Sequence, residues 1–272
     1  RIEVIGRNAA GIWQARTGAA SHVWIVNSSW PTVRINEVLA GNDGAVERNG
    51  SFPDLIELFN EGPAPVNLAG MRLTDDPGNP NRFTFPSGTT LAPGAYLALD
   101  SSQLGFGLDQ SGDGVYLFQS AAQGGAVLDA VEFGFQVANY SIGRTSDSDE
   151  WVLTQPTFGA ANSIPALGDS GRIKINEWLA GGVSPYPDDF IELYNPEDRP
   201  VAVGGCYLTD QPLSAPNRSR IASLTFIAPR SYAAFTAGNG NRAGEINFGL
   251  SVEQGEMALF GPDLAPIDAV IY

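Results

Sequence analysis

The sequence predicts an all-β chain made of two tandem copies of one module, preceded by a short β-hairpin. Three observations predict it. Glycine and proline, 32 and 19 residues of the 272, punctuate short runs rich in valine, threonine and aromatics, a composition suited to many strands joined by turns. No segment sustains a helical apolar period over about ten residues, so almost no α-helix is expected. Strings from the first half recur, in order, in the second. A chain of 272 residues can bury two cores of ordinary size without disulfide or metal staples.

The repeat justifies the strands one by one. Val33–Ala40 returns as Ile173–Ala180, a shift of 140, and Asp54–Asn60 as Asp189–Asn195, a shift of 135. The first copy therefore carries five extra residues between these strands, within Gly41 to Pro53, where a surface loop tolerates them cheaply. Met71–Asp75 then matches Cys206–Asp210, and Leu91–Tyr96 matches Ile227–Tyr232. Phe106–Leu108 pairs with Phe248–Leu250, Leu117-Phe118 with Leu259-Phe260, and Asp129–Val131 with Asp268–Val270. Short runs bounded by Gly, Pro, Asn or Asp at this spacing are the mark of a sandwich or barrel. Without helices to serve as crossovers, antiparallel pairing is expected. The predicted division is a hairpin over 1–30, one module over 31–164, a linker near Ser163–Asp169, and a second module over 171–272.

Ile35-Asn36-Glu37-Val38, Asp54–Asn60 and Leu73-Thr74-Asp75 together resemble the lamin tail domain as found in bacterial multidomain proteins. Tyr140-Ser141-Ile142-Gly143-Arg144, Trp151-Val152-Leu153 and Pro156–Asn162 resemble that family's closing string. The resemblance implies an immunoglobulin-like β-sandwich in each copy, and it spans residues 32–163 fully and 172–272 in part. The second copy has no counterpart of Tyr140–Asn162, which implies an open edge and a partly uncovered core. Two readings of residues 1–30 stay open. Ile5-Gly6-Arg7, Trp13 and Thr17–Ala20 echo the closing string and could complete the second copy, while Asn8–Trp13 with Ser21–Val26 resembles the end of a separate bacterial immunoglobulin-like domain, the favoured reading.

Charge and composition narrow the function. The net charge of −15 divides into +2 for residues 1–30, −11 for 31–164 and −6 for 165–272. An acidic field repels phosphate backbones and anionic lipid, so nucleic acid and membrane surfaces are not expected partners. Lys174 is the sole lysine, and only Arg218 and Arg220 form a basic neighbourhood. No apolar stretch reaches the ~18–20 residues that cross a bilayer, so no membrane insertion is expected. Cys206 is the single cysteine and excludes an intramolecular disulfide. The chain opens directly on Arg1–Ile5 without a signal peptide, and is expected to be a piece of something larger.

Counting alternately along the strand places Glu37 beside Val33, Ile35 and Leu39, and Glu177 beside Ile173, Ile175 and Leu179, so each acid is expected in an apolar row. Such a carboxylate needs a partner, and Arg144 is the candidate for Glu37. Asn36, Glu37, Glu57, Asn60 and Arg144, with Asn176, Glu177, Glu192 and Asn195, form the structural signature that the resemblance assigns. A duplicated fold signature explains Glu37 and Glu57 more simply than a catalytic acid pair does. Asp109, Ser111 and Asp113 match the first half of a calcium loop, but Ser120 stands where the bidentate glutamate would be, and a hairpin turn is the better reading.

No nucleophile–histidine set is expected, because His22 is the only histidine and lies in the hairpin. Zinc finds too few nitrogen and sulfur ligands, and Gly238–Gly244 lacks the spacing of a phosphate loop. Trp24, Trp30, Trp178 and Tyr186 are candidates for an aromatic platform. The expected function is a non-enzymatic structural and interaction module of a larger exported or cell-surface bacterial protein, serving spacing, adhesion or protein binding, with no cofactor. The alternative is a carbohydrate-binding or calcium-dependent module accessory to a catalytic domain elsewhere. Either would put it extracellularly, against a protein or polysaccharide surface.

Overall fold

The computed structural model describes residues 2–4, 20–22, 30–182 and 188–272. Residues 1–31 and 32–272 form two compact units. In the first, β1 (Ile2–Val4) and β2 (Ala20–His22) pair antiparallel, with Ile2 opposite His22. Most of the two strings that bear on the hairpin's kinship, including Trp13 and Trp24, lies outside the described residues.

The regular secondary structure of the second unit is almost all strand. Its first half holds β3 (Val33–Leu39), β4 (Leu55–Asn60), β5 (Val66–Asn67), β6 (Arg72–Thr74), β7 (Phe83–Thr84), β8 (Thr90–Leu91) and β9 (Tyr96–Asp100). Then come one short helix, α1 (Ser101–Leu104), and β10 (Asp113–Phe118), β11 (Val127–Phe133), β12 (Ser141–Arg144) and β13 (Trp151–Thr154). A five-stranded sheet runs β13-β12-β3-β4-β9 and a four-stranded sheet β11-β10-β6-β7, with β5 and β8 pairing separately. Every pairing here is antiparallel. The helix is a single turn that Asp100 starts, accepting the Gln103 N–H while Gln103 Oε1 takes the Asp100 N–H. Gly105 stops it in the left-handed conformation at φ 77°.

The same plan recurs in β14 (Lys174–Leu179), β15 (Phe190–Tyr194), β16 (Val201–Ala202), β17 (Tyr207–Thr209), β18 (Ser219–Arg220), β19 (Phe226–Ile227), β20 (Tyr232–Ala237), β21 (Glu245–Ile246), β22 (Glu256–Phe260) and β23 (Pro266–Ile271). Sheets β14-β15-β20-β21 and β18-β17-β22-β23 mirror the first pair, and β16–β19 mirrors β5–β8. One pairing, β20 with β21, is parallel. Among the described residues nothing corresponds to β12 and β13. Among the described strands β14 has the one partner β15, whereas its counterpart β3 is paired on both sides.

Alternate counting along β3 and β14 fails at one place. The ladder runs Ile35↔Leu58 and then Glu37↔Glu57, so Asn36 is an extra residue and the strand carries a β-bulge. The bulge reverses the inward-outward alternation. Val33 and Ile35 enter the core before it, Val38 and Ala40 after it, and Glu37 turns to the opposite face of the sheet. The second half repeats this, with Ile175↔Leu193 followed by Glu177↔Glu192 and Asn176 as the extra residue. Neither acid lies in the apolar row expected for it. Glu177 is exposed.

Each half has its own core, and the two halves meet at a defined junction. Ile35, Val38, Ile56, Leu58, Leu73 and Leu117 anchor the first, and Ile173, Ile191, Leu193, Leu208, Met257 and Leu259 the second. Phe226, from the second half, is buried in the first core, while Phe135 packs against the second. Backbone bonds tie them: the Phe226 N–H donates to Phe135 O at 2.8 Å and the Gly134 N–H to Ser223 O at 3.0 Å. The Phe135 and Phe235 rings lie 5.3 Å apart.

Candidate functional site

The bulge brings the most unusual group of side chains together. β3 and β4 set Glu37 opposite Glu57, and β12 sets Gly143 opposite Glu37. Segment 155–162 leaves β13 and crosses this face. Glu37 Oε1 accepts the Ser141 hydroxyl at 2.6 Å and the Thr157 N–H at 2.9 Å. Glu57 Oε1 accepts Asn36 Nδ2 at 2.9 Å, and its Oε2 accepts the Gly159 N–H. Asn162 Nδ2 closes the cover by donating to Asn36 O at 3.0 Å and Arg144 O at 2.9 Å. Gly143 makes room for it, since a Cβ there would stand 2.5 Å from Asn162 Nδ2.

Both carboxylates are fully buried, and burial dominates their electrostatics. Loss of solvation, with a smaller push from the neighbouring Glu57 charge, raises the Glu37 carboxyl to about 7 despite the bonds from Ser141 and Thr157. Burial raises Glu57 as well, against the bonds from Gly159 and Asn36. Glu37 Oε2 is buried without a hydrogen-bond partner, the position a proton would occupy in the neutral acid. Neither carboxylate is exposed, and 155–162 lies across the pair, donating the Thr157 and Gly159 N–H groups to it. Its geometry holds a sheet together.

Arg144 is not the partner of Glu37. Its Nη2 meets Asp129 Oδ1 at 2.7 Å and its Nε donates to Ile35 O at 3.0 Å, while the guanidinium lies over Trp151. The bulge explains the difference, because Glu37 takes hydroxyl and backbone donors on the far face instead. Asp129 also accepts the Ile35 N–H at 2.8 Å, and Asp268 accepts the Ile175 N–H at 2.9 Å in the other half. The recurrence of Asp129 as Asp268 is the sequence signal that singles it out. Ser141, Thr157, Gly159 and Asn162 carry no signal of their own beyond the closing string.

Asn60 and Asn195 do equivalent work. Asn60 Nδ2 donates to the carbonyls of Ala64, Leu91 and Ala92, and Oδ1 accepts the Gly62 N–H. Asn195 Nδ2 donates to those of Arg199, Ile227 and Ala228, and Oδ1 accepts the Glu197 N–H. Asn176 repeats the bond of Asn36, reaching Glu192 Oε1 at 2.7 Å, but on an exposed face.

Asp109, Ser111 and Asp113 fall at a polar cleft between the halves that Arg220, Arg242 and Glu245 also line. They form a self-contained turn. Asp109 Oδ1 accepts the Ser111 N–H and hydroxyl, and Asp113 accepts the Asp109 and Gly114 N–H groups. The Ser111 bonds lower the Asp109 carboxyl and burial raises Asp113. Among the described residues no three His, Cys, Asp or Glu side chains converge as metal ligands. Cys206 is buried, and burial pushes its thiol up to about 11. Trp30 is exposed, Trp178 is half-buried with its ring 5.4 Å from that of Tyr272, and Trp24 and Tyr186 lie outside the described residues. No helix among the described residues is long and apolar enough to cross a membrane.

Fold and site together define an immunoglobulin-like β-sandwich whose buried polar residues are committed to its own scaffold. Residues 27–135 match the family model of the Lamin Tail Domain. That family is an immunoglobulin-like domain, a kind that suggests a structural or interaction module in the matched region. No curated protein matches the chain.

Proposed function

We propose that the chain is a non-enzymatic spacer and interaction segment of a larger exported or cell-surface bacterial protein, made of two lamin-tail-like modules over 31–164 and 171–272. One observation carries this reading: Glu37 and Glu57, the best-placed acid pair, are sealed under 155–162 and bonded to the scaffold. The recurring strand plan and the matched pairs Asn60/Asn195 and Asp129/Asp268 support kinship of the second module with the first. The bacterial surface setting rests on the sequence resemblance, and the acidic charge of −15 favours a protein or polysaccharide partner over nucleic acid. Nothing in this role calls for a cofactor.

A spacer holds its two modules at one separation. The aromatic exchange at Phe135 and Phe226 would provide that. Spin labels at Ser87→Cys and Glu253→Cys, both on exposed positions, test it by pulsed electron resonance. One narrow distance distribution is expected. A broad one would mean independent beads on a string and would remove the spacing role.

A further inference from the structure

The polar cleft between the halves has a volume of 1040 Å³. Small-molecule sites occupy about 300–1,000 Å³, so this one can hold more than a single small ring. Its walls come from different modules. β10, β11 and the turn at 109–112 form one, and β18, β20 and the stretch 240–245 form the other. They approach closely where Gly112 and Gly244 leave room, since a Cβ on Gly112 would lie 2.3 Å from the Ala243 Cβ and one on Gly244 2.8 Å from the Phe135 ring.

The chemistry of these walls selects by exclusion. Asp75, Asp109, Asp113, Glu132 and Glu245 repel an anion, while Arg220 and Arg242 disfavour a bare cation. Burial raises the Asp113 carboxyl, and the charges of Asp75 and Asp109 add to the rise. Burial and the bond its hydroxyl donates to Glu132 raise the Tyr116 phenol, which therefore stays a neutral hydroxyl. The fold does not use up all of these groups. Among the described residues Arg220 forms no ion pair, and its Nη1 reaches the Ser223 hydroxyl at 3.5 Å. Glu245 Oε2 is buried without a hydrogen-bond partner. Half-buried Phe135 and Ala222 and exposed Ala234 add an apolar patch between the charges.

We propose that this cleft binds a neutral oligosaccharide, with a few sugar units seated between the two modules. A hydroxyl both donates and accepts, so a single sugar hydroxyl can answer a carboxylate on one side and a guanidinium on the other. A peptide N–H only donates and a peptide C=O only accepts, which fits interleaved acids and arginines less well. The C–H face of a sugar ring meets the patch at Phe135, Ala222 and Ala234. Acidic sugars are turned away by the carboxylates. The inference rests on reading the chain as an interaction module and gives its partner a chemical class.

The test is an array of neutral hexose, pentose and N-acetylhexosamine oligosaccharides probed with the intact chain, each hit being titrated by calorimetry. Saturable binding to at least one is expected. Ala234→Trp fills the cleft from an exposed position and should abolish it, and Arg220→Gln, also at an exposed position, should weaken it about tenfold. Unchanged melting curves verify that both variants fold. No saturable neutral sugar, or binding indifferent to both substitutions, overturns the proposal. So does binding of oligogalacturonate, trilysine or trialanine while every neutral sugar is inert, because the cleft would then serve another class of partner. A narrow spin-label distance without sugar binding would remove this inference and leave the spacer reading, and a broad distance with sugar bound would do the reverse.

Discussion

Glu37 stands directly across the β3–β4 ladder from Glu57, and both carboxylates are wholly buried on the face opposite the core. Two acids at one rung repel if both ionise, and burial already disfavours either charge. The pair is held by the donors of Ser141, Asn36, Thr157 and Gly159.

A pH dependence follows. Glu37 titrates near 7 in the folded chain against an ordinary value of 4.5, so between these values the folded state holds the extra proton. Stability from this group is therefore complete below about 4.5 and is lost as pH rises through about 7. The loss is on the order of 3 kcal/mol. Glu57 is shifted in the same direction and adds to it. Glu37→Gln, neutral at every pH, should match the parent at pH 5, exceed it at pH 8, and flatten the profile between. Urea denaturation at both pH values checks this, and a variant weaker than the parent at pH 8 would contradict the assigned shift.

The strand order is legible in the sequence because the repeat is strong: the shifts of 140 and 135 alone place β3 with β14 and β4 with β15. The bulge is not. Asn36 and Asn176 stand in unbroken strand-like runs, and nothing local tells an extra residue from an ordinary one, so alternate counting puts both acids on the wrong face. Arg144 then falls to the nearest acid expected inside. The cover leaves little trace either, because Thr157 and Gly159 act through backbone N–H groups that any residue other than proline would supply. The junction is invisible for a different reason: Gly134 and Phe135 sit in a part of the chain without a repeat, and contacts between halves leave no period.

Gly143 should not tolerate a side chain. An alanine Cβ would lie 2.5 Å from Asn162 Nδ2 and 3.0 Å from Thr154 Oγ1, displacing the amide that ties the cover to Asn36 and Arg144. Loss of those two bonds predicts a destabilisation of about 1–3 kcal/mol. In an Asn162→Ala background the same substitution should cost clearly less, since the clashing group is gone. Equal costs in the two backgrounds, measured by denaturant midpoints, would place the strain elsewhere.

Asn60→Ala and Asn195→Ala form a matched pair. Each removes a fully buried amide that donates to three carbonyls and accepts a backbone N–H. Each is expected to cost roughly 2–4 kcal/mol, through stranded partners more than lost bonds. Hydrogen exchange should localise the loosening to the half that carries the substitution. A change in the Asn60 variant that spread evenly over both halves would show that the two cores unfold as one.

Gly134 tests the junction itself. It follows Phe133 at the end of β11, donates its N–H to Ser223 O, and faces Thr225 so closely that a Cβ would lie 2.0 Å from its Oγ1. Thr225 is fully buried and donates to Ala222 O at 2.7 Å, so it has no open side to retreat to. Gly134→Val must therefore push the halves apart at the place where Phe226 and Phe135 exchange cores. Each half retains its own sheets, so the fold of neither should be lost. The expected result is a broadened spin-label distance between positions 87 and 253 and a thermal transition that separates into two. If valine left both unchanged, the contacts at 134–136 and 222–226 would be incidental to how the halves are held, and the fixed spacing would need another cause.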